Sequence, residues 1–251
     1  MRRVTDQANK LTQQATQINF ALQDATVQST VNAVNWRIAT AQEGGTCPRL
    51  PATAVAAIAL MSPPAQAQKL TVVEVGAPAV NCVFHPSCTI TVTDSIGAID
   101  LPYIEKADTA WLQSRTYTGA AGTPGAGKTG YEYRVSLTEA AGSADCLGGL
   151  VLNFGPVAKL PYKGGALADV FVITTGGLGT IGLASAEKFG DVIVFEFSPQ
   201  LCLEGPANIK NTTFFFGLAA AEAPAPKPIA AQIFAIGSPP MYEVEARVPK
   251  H

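Results

Sequence analysis

From Leu70 to the C-terminus, apolar and polar residues alternate with a period of two. The runs are short: LTVVEV at 70–75, TITVT at 89–93, AWLQSRTYT at 110–118, YEYRVSL at 131–137, LVLNF at 150–154 and DVFVITT at 169–175. IGLASA at 181–186, DVIVFEF at 191–197, TTFFFGLA at 212–219, AAQIFAIG at 230–237 and YEVEARV at 242–248 continue the series. Gly, Pro, Asn or Asp punctuates most of them, and β-branched and aromatic residues fill them. This pattern predicts about eleven strands and no helix among them. The expected fold is all-β, an antiparallel β-sandwich or jelly roll.

The chain before Leu70 is patterned differently. Val4, Ala8, Leu11, Ala15, Ile18, Leu22 and Ala25 recur at alternating spacings of four and three, the stripe of an amphipathic helix, and Val27, Val31, Val34 and Ile38 continue it in a shifted phase. Residues 1–46 therefore read as a helical extension. Its origin has three competing readings: a start codon placed too far upstream, a cytoplasmic extension with an uncleaved anchor, or a coiled-coil arm. Next comes a secretory pattern at 47–67. Arg49 precedes an apolar run from Ala52 to Met61, too short to span a bilayer, and Ala65-Gln66-Ala67 supplies the small-x-small cleavage pattern. Cleavage after Ala67 would leave 68–251 as an exported β-sandwich domain, secreted or periplasmic, with no transmembrane segment.

The cysteines agree with export. Of five, Cys47 lies on the discarded side, which leaves Cys82, Cys88, Cys146 and Cys202. An even set suits an oxidising compartment, and the pairing expected is Cys82–Cys88 with Cys146–Cys202. Charged residues make up only 14% of the chain, with 17 Lys+Arg against 19 Asp+Glu. A basic run is absent from the sequence, which argues against nucleic acid or anionic lipid as a partner.

Three motifs invite chemistry. Gly122 to Thr129, GTPGAGKT, matches the phosphate-loop pattern, but that loop works between a buried strand and a helix N-terminus. Strand-like runs on both sides make it a hairpin loop instead. Cys82-Val83-Phe84-His85-Pro86-Ser87-Cys88 has metal-ligand spacing, yet the only other histidine is His251. Disulfide formation is the expected fate of its thiols, and neither metal nor cofactor is expected. Asn211-Thr212-Thr213 is a formal N-glycosylation acceptor.

Catalytic constellations are thin. The sequence holds no G-x-S-x-G elbow, and Asp94, Asp100, Glu105, Asp108, Asp169 and Asp191 mostly adjoin turns. A candidate binding surface is clearer. Alternation places Trp111, Gln113, Arg115 and Tyr117 on one strand face, and if Tyr117 lies opposite Tyr131, then Tyr133 and Val135 share it. Aromatic planes interleaved with Gln and Arg can stack on sugar rings and donate hydrogen bonds to hydroxyls; the competing fate of the same rings is the sandwich core. The functional expectation is an exported, non-catalytic envelope or extracellular structural or binding protein. Its expected partner is a glycan or cell-surface polymer, or another copy of itself. The alternative is a secreted glycan hydrolase using paired carboxylates.

Overall fold

A computed structural model describes residues 67–102, 104–105, 109–142, 146–203, 211–221, 226–235 and 241–250. The helical reading of 1–46 and almost all of the export signal at 47–67 lie outside these residues. Among them are thirteen strands and one helix. The strands are β1 (Gln68–Lys69), β2 (Val72–Gly76), β3 (Thr93–Ala98), β4 (Trp111–Thr118), β5 (Thr129–Ser136), β6 (Leu147–Asn153) and β7 (Val157–Ala158). They continue with β8 (Val170–Thr175), β9 (Gly182–Phe189), β10 (Val192–Leu201), β11 (Phe215–Ala220), β12 (Pro226–Ala235) and β13 (Met241–Pro249). The helix, α1 (Ala77–Phe84), follows β2.

Two sheets form the fold. One runs β1-β9-β10-β6-β12-β13, the other β2-β8-β11-β5-β4-β3 with β7 added beside β11. The all-β expectation holds, with a correction: β2 pairs β8 in parallel, so the second sheet is mixed. The chain passes from β1 in the first sheet to β2 in the second within a few residues. On the opposite side, the Arg247 backbone N–H donates to Ser114 Oγ at 3.3 Å and its Nε to Ser95 Oγ at 3.1 Å, tying β13 to β4 and β3.

The inner faces of both sheets enclose the main core. Leu112, Tyr131, Tyr133 and Val135 from the second sheet meet Leu150, Leu152, Ile193, Phe195, Val244 and Ala246 from the first. A second, smaller core covers part of the outer face of the second sheet, where Val80, Val83 and Phe84 of α1 pack on Tyr117, Phe171, Phe215 and Ala219. Strands buried on both faces need apolar residues at successive positions. This explains why VFVI in β8 and FF in β11 break the alternation that β13 keeps.

The helix is the main departure from the sequence reading. Pro78 lies in its first turn, where no N–H partner is needed, and Val80, Val83 and Phe84 form one apolar stripe at i, i+3 and i+4. Its end is fastened three ways. The His85 N–H donates to the Asn81 carbonyl at 2.8 Å, Cys82 is disulfide-bonded to Cys88, and the loop after β4 donates Gly125 N–H to Val83 O and Ala120 N–H to Phe84 O. The second expected disulfide, Cys146–Cys202, joins the start of β6 to the end of β10, beside the Leu147–Leu201 pair.

Candidate functional site

Register decides which face each residue of the β4–β5 hairpin occupies. Tyr117 stands opposite Gly130, Thr116 opposite Tyr131, Arg115 opposite Glu132, Ser114 opposite Tyr133 and Gln113 opposite Arg134. The Tyr117–Tyr131 alignment considered from the sequence is therefore off by one residue, and a one-residue slip sends every side chain to the other face. Trp111, Gln113, Arg115 and Tyr117 point outward as a group. Tyr131 and Tyr133 instead lie wholly buried between the sheets, with Val135. The reason is local: the Tyr117 ring lies directly over Gly130, where an added Cβ would come within 2.3 Å of Cε2. A tyrosine opposite Tyr117 would have no room.

Four further residues join this face from neighbouring strands, and a fifth from β11; of these the sequence singled out only Asp94, as a carboxylate beside a turn. Glu132 and Arg134 come from β5, and Asp94 and Ile96 from β3, opposite Arg115 and Gln113. Phe215 comes from β11, whose Phe216 pairs with Tyr133. The signal that could have found Glu132 and Arg134 was present in the alternation of YEYRVSL; β11 and β3 are distant in sequence, and nothing local announced their registers.

These side chains build a stacked ladder. The Arg134 guanidinium sits 4.9 Å from the Trp111 ring and 4.9 Å from the Phe215 ring, and the Arg115 guanidinium lies 4.2 Å from the same Phe215 ring. Guanidinium planes favour aromatic faces through cation–π attraction. Arg115 Nε donates to Asp94 Oδ1 at 2.8 Å, and Gln113 Nε2 donates to the same oxygen at 3.2 Å. Trp111, Arg115 and Arg134 are half-buried, and Ile96 beside them is 58% exposed.

Toward α1 the same face becomes dry. Tyr117 Oη donates to Glu132 Oε1 at 2.8 Å, and both side chains are buried. Burial pushes the Glu132 carboxyl up to about 7, opposed by the Tyr117 hydrogen bond and the Arg115 charge. Burial foremost, and the neighbouring Arg115 charge after it, push Arg134 down, while Asp94 opposes. One face thus combines a solvent-facing cationic ladder with a buried carboxyl close to neutrality.

The remaining sequence candidates resolve differently. Residues 122–129 connect two antiparallel strands, with Gly122 and Gly127 at positive φ, and Lys128 Nζ donates to the Ala221 carbonyl. No helix follows to aim N–H groups at a phosphate. Cys82 and Cys88 are bonded to each other, and His85 Nδ1 lies 2.7 Å from Ser87 Oγ, so this spacing belongs to a closed loop. Asp169 accepts from the Thr71 N–H at 2.8 Å and faces Lys159 at 3.6 Å. Asp191 stands 4.0 Å from Lys188; Asp100 and Glu105 are exposed, and Asp108 is outside the described residues. Asn211 Nδ2 donates to the Leu203 carbonyl at 2.7 Å.

A concavity of about 450 Å³ opens where β3 parts from β4. Its walls carry hydroxyls, including those of Thr89, Thr91, Thr93, Thr116 and Thr118. No helix among the described residues is long and apolar enough to cross a membrane. No family model, curated protein or solved structure matches this chain, so the site's role rests on its own chemistry.

Proposed function

We propose that this chain is an exported, non-catalytic envelope or extracellular binding protein. Its ligand is a glycan, held on the outer face of the β4–β5 hairpin. Export is supported by the Arg49 to Ala67 pattern together with the Cys82–Cys88 and Cys146–Cys202 disulfides. The observation that carries binding is the Trp111–Arg134–Phe215–Arg115 ladder, a rigid stacked surface with polar groups at its margin. Stacking fixes the side chains before a ligand arrives, which lowers the ordering cost of binding. A sugar ring can lie against Ile96 and the part of the indole that Arg134 leaves open, while Gln113, Arg115 and Asp94 meet its hydroxyls.

The hydrolase reading is less well supported. Glu132, whose carboxyl is pushed up to about 7 by burial, is 2% exposed and cannot reach a glycosidic oxygen. The test is affinity electrophoresis of the full chain through gels containing soluble polysaccharides. Retardation by at least one polymer, lost in Trp111→Ala with an unchanged thermal transition, is the expected result. Release of reducing ends from the retained polymer would replace the binding role with hydrolysis. Recovery of the full chain beginning at Met1 with all its thiols free would remove the export argument.

A further inference from the structure

We propose that the ligand of this face is an acidic polysaccharide, its carboxylate or sulfate taken by Arg134 together with Arg115 while the sugar ring lies against Ile96 and the part of the indole that Arg134 leaves open. This rests on the binding role above and names the class of polymer.

The argument starts from charge. Two guanidiniums lie over the single ring of Phe215, at 4.2 and 4.9 Å from its centre, and only one of them has a carboxylate in contact. Asp94 bonds Arg115. Arg134 makes no ion pair among the described residues, and its buried Nε has no hydrogen-bond partner. Four of the other described cations have partners: Lys159 faces Asp169, Lys188 faces Asp191, Lys128 donates to a carbonyl and Arg247 to Ser95. Lys69, Lys163 and Lys250 are exposed to solvent, and Lys227 is half-buried on β12. In a chain with more acidic than basic residues, a half-buried cation beside another cation and without its own anion is a costly arrangement.

An external anion removes that cost. A guanidinium lying over two rings engages an oxyanion through its N–H groups, in the fork geometry that suits carboxylate and sulfate. Arg115, over the same Phe215 ring, adds its charge. Ile96 and the indole supply apolar surface for the sugar's C–H face. A neutral glycan would leave the Arg134 charge uncompensated.

The experiment uses the full chain with its disulfides intact. Its probes are polygalacturonate, heparin, fully methyl-esterified pectin, which has the same backbone as polygalacturonate without the charge, and dextran. Retention on polygalacturonate or heparin, absent on the methyl ester and dextran and weakened by 0.5 M NaCl, is expected. Whichever acidic polymer is retained separates carboxylate from sulfate. Arg134→Gln should weaken that binding about tenfold or more, and Arg134→Lys less, since it keeps charge without the fork. Equal melting temperatures for the two variants show that the fold is not the cause.

Binding of methyl-esterified pectin or dextran as tightly as the acidic polymers, sensitive to Trp111→Ala but not to Arg134→Gln, would overturn the acidic class and leave the glycan role standing. Retention of none of the four polymers would overturn both readings, and a dimer that Arg134→Gln disperses would then assign the face to a second copy.

Discussion

The two faces of one hairpin are organised by different physics. On the inner face of β4–β5, Leu112, Tyr131, Tyr133 and Val135 are fully buried and held by shape, each ring against rings from elsewhere in the sandwich. Tyr131 meets Phe154 edge-on at 5.1 Å, and Tyr133 packs near Phe216 at 6.1 Å. On the outer face, alternate residues of the same strands are held by charge and stacking: Arg134 on Trp111, Arg115 on Asp94, Tyr117 on Glu132. Residues adjacent in sequence thus have different surroundings, Tyr133 in the core and Arg134 in the ladder proposed to bind a glycan. Substitutions should separate them. Tyr133→Ala should cost about 3–5 kcal/mol, because the large cavity it leaves cannot collapse between two sheets. Trp111→Ala, on a half-buried site, should shift the unfolding midpoint far less. Urea unfolding of both variants checks the contrast, and equal losses would show that the outer ladder is also core.

Glu132 is where the two regimes meet, a charged residue type buried on the outward side. Its proton is bound more tightly in the folded chain, near 7, than in the unfolded one, near 4.5. The stabilisation from that proton is therefore complete below about pH 4.5 and is lost as pH rises through about 7. The full swing is on the order of 3 kcal/mol. Glu132→Gln keeps an acceptor for Tyr117 Oη and removes the titration. The difference in unfolding free energy between wild type and variant should move against the wild type from pH 5 to pH 8. A flat difference would mean that Glu132 is hydrated.

Much of the fold was legible because strand periodicity is a local property. Most of the runs from LTVVEV to YEVEARV lie within or across a strand, and the even cysteine set gave both disulfides. Three things were not legible. TITVT reads as a strand, but only Thr93 enters β3, since the chain splays from β4 before it. APAVNCVF contains valines and a proline that argue against a helix, and it folds as one because Val80, Val83 and Phe84 find Tyr117, Phe171 and Phe215 across a face the sequence had no means of marking as buried. The candidate site was half legible: Trp111 and Arg115 lie on the outer face, Tyr131 and Tyr133 do not. Strand alternation gives two sets of residues per strand, but which set of one strand joins which set of the next is fixed by register.

Gly130 is the residue that fixes that register. An alanine there would drive its Cβ into the Tyr117 ring, which is held edge-on by Phe84 at 4.8 Å and by its bond to Glu132. Gly130→Ala should destabilise by about 1–3 kcal/mol, the usual cost of overpacking. Tyr117→Leu in the same chain, with no rigid ring over the glycine, should recover part of that loss. An additive double variant would show that the ring does not constrain this position.

The smallest effect separates the two inner tyrosines from each other. Tyr133 Oη donates to the Arg247 carbonyl at 2.7 Å, and so ties β5 to β13 across the sandwich. Tyr131 Oη is buried with no hydrogen-bond partner. Removing a bonded hydroxyl leaves a buried carbonyl short of a donor, whereas removing an unpaired one relieves a desolvated group. Tyr133→Phe should therefore cost about 1 kcal/mol, while Tyr131→Phe should be neutral or slightly stabilising. Because neither change alters ring volume, packing cannot account for a difference between them. Equal destabilisation by both would place a water on Tyr131 Oη, and the inner face would then be less uniformly dry than its burial indicates.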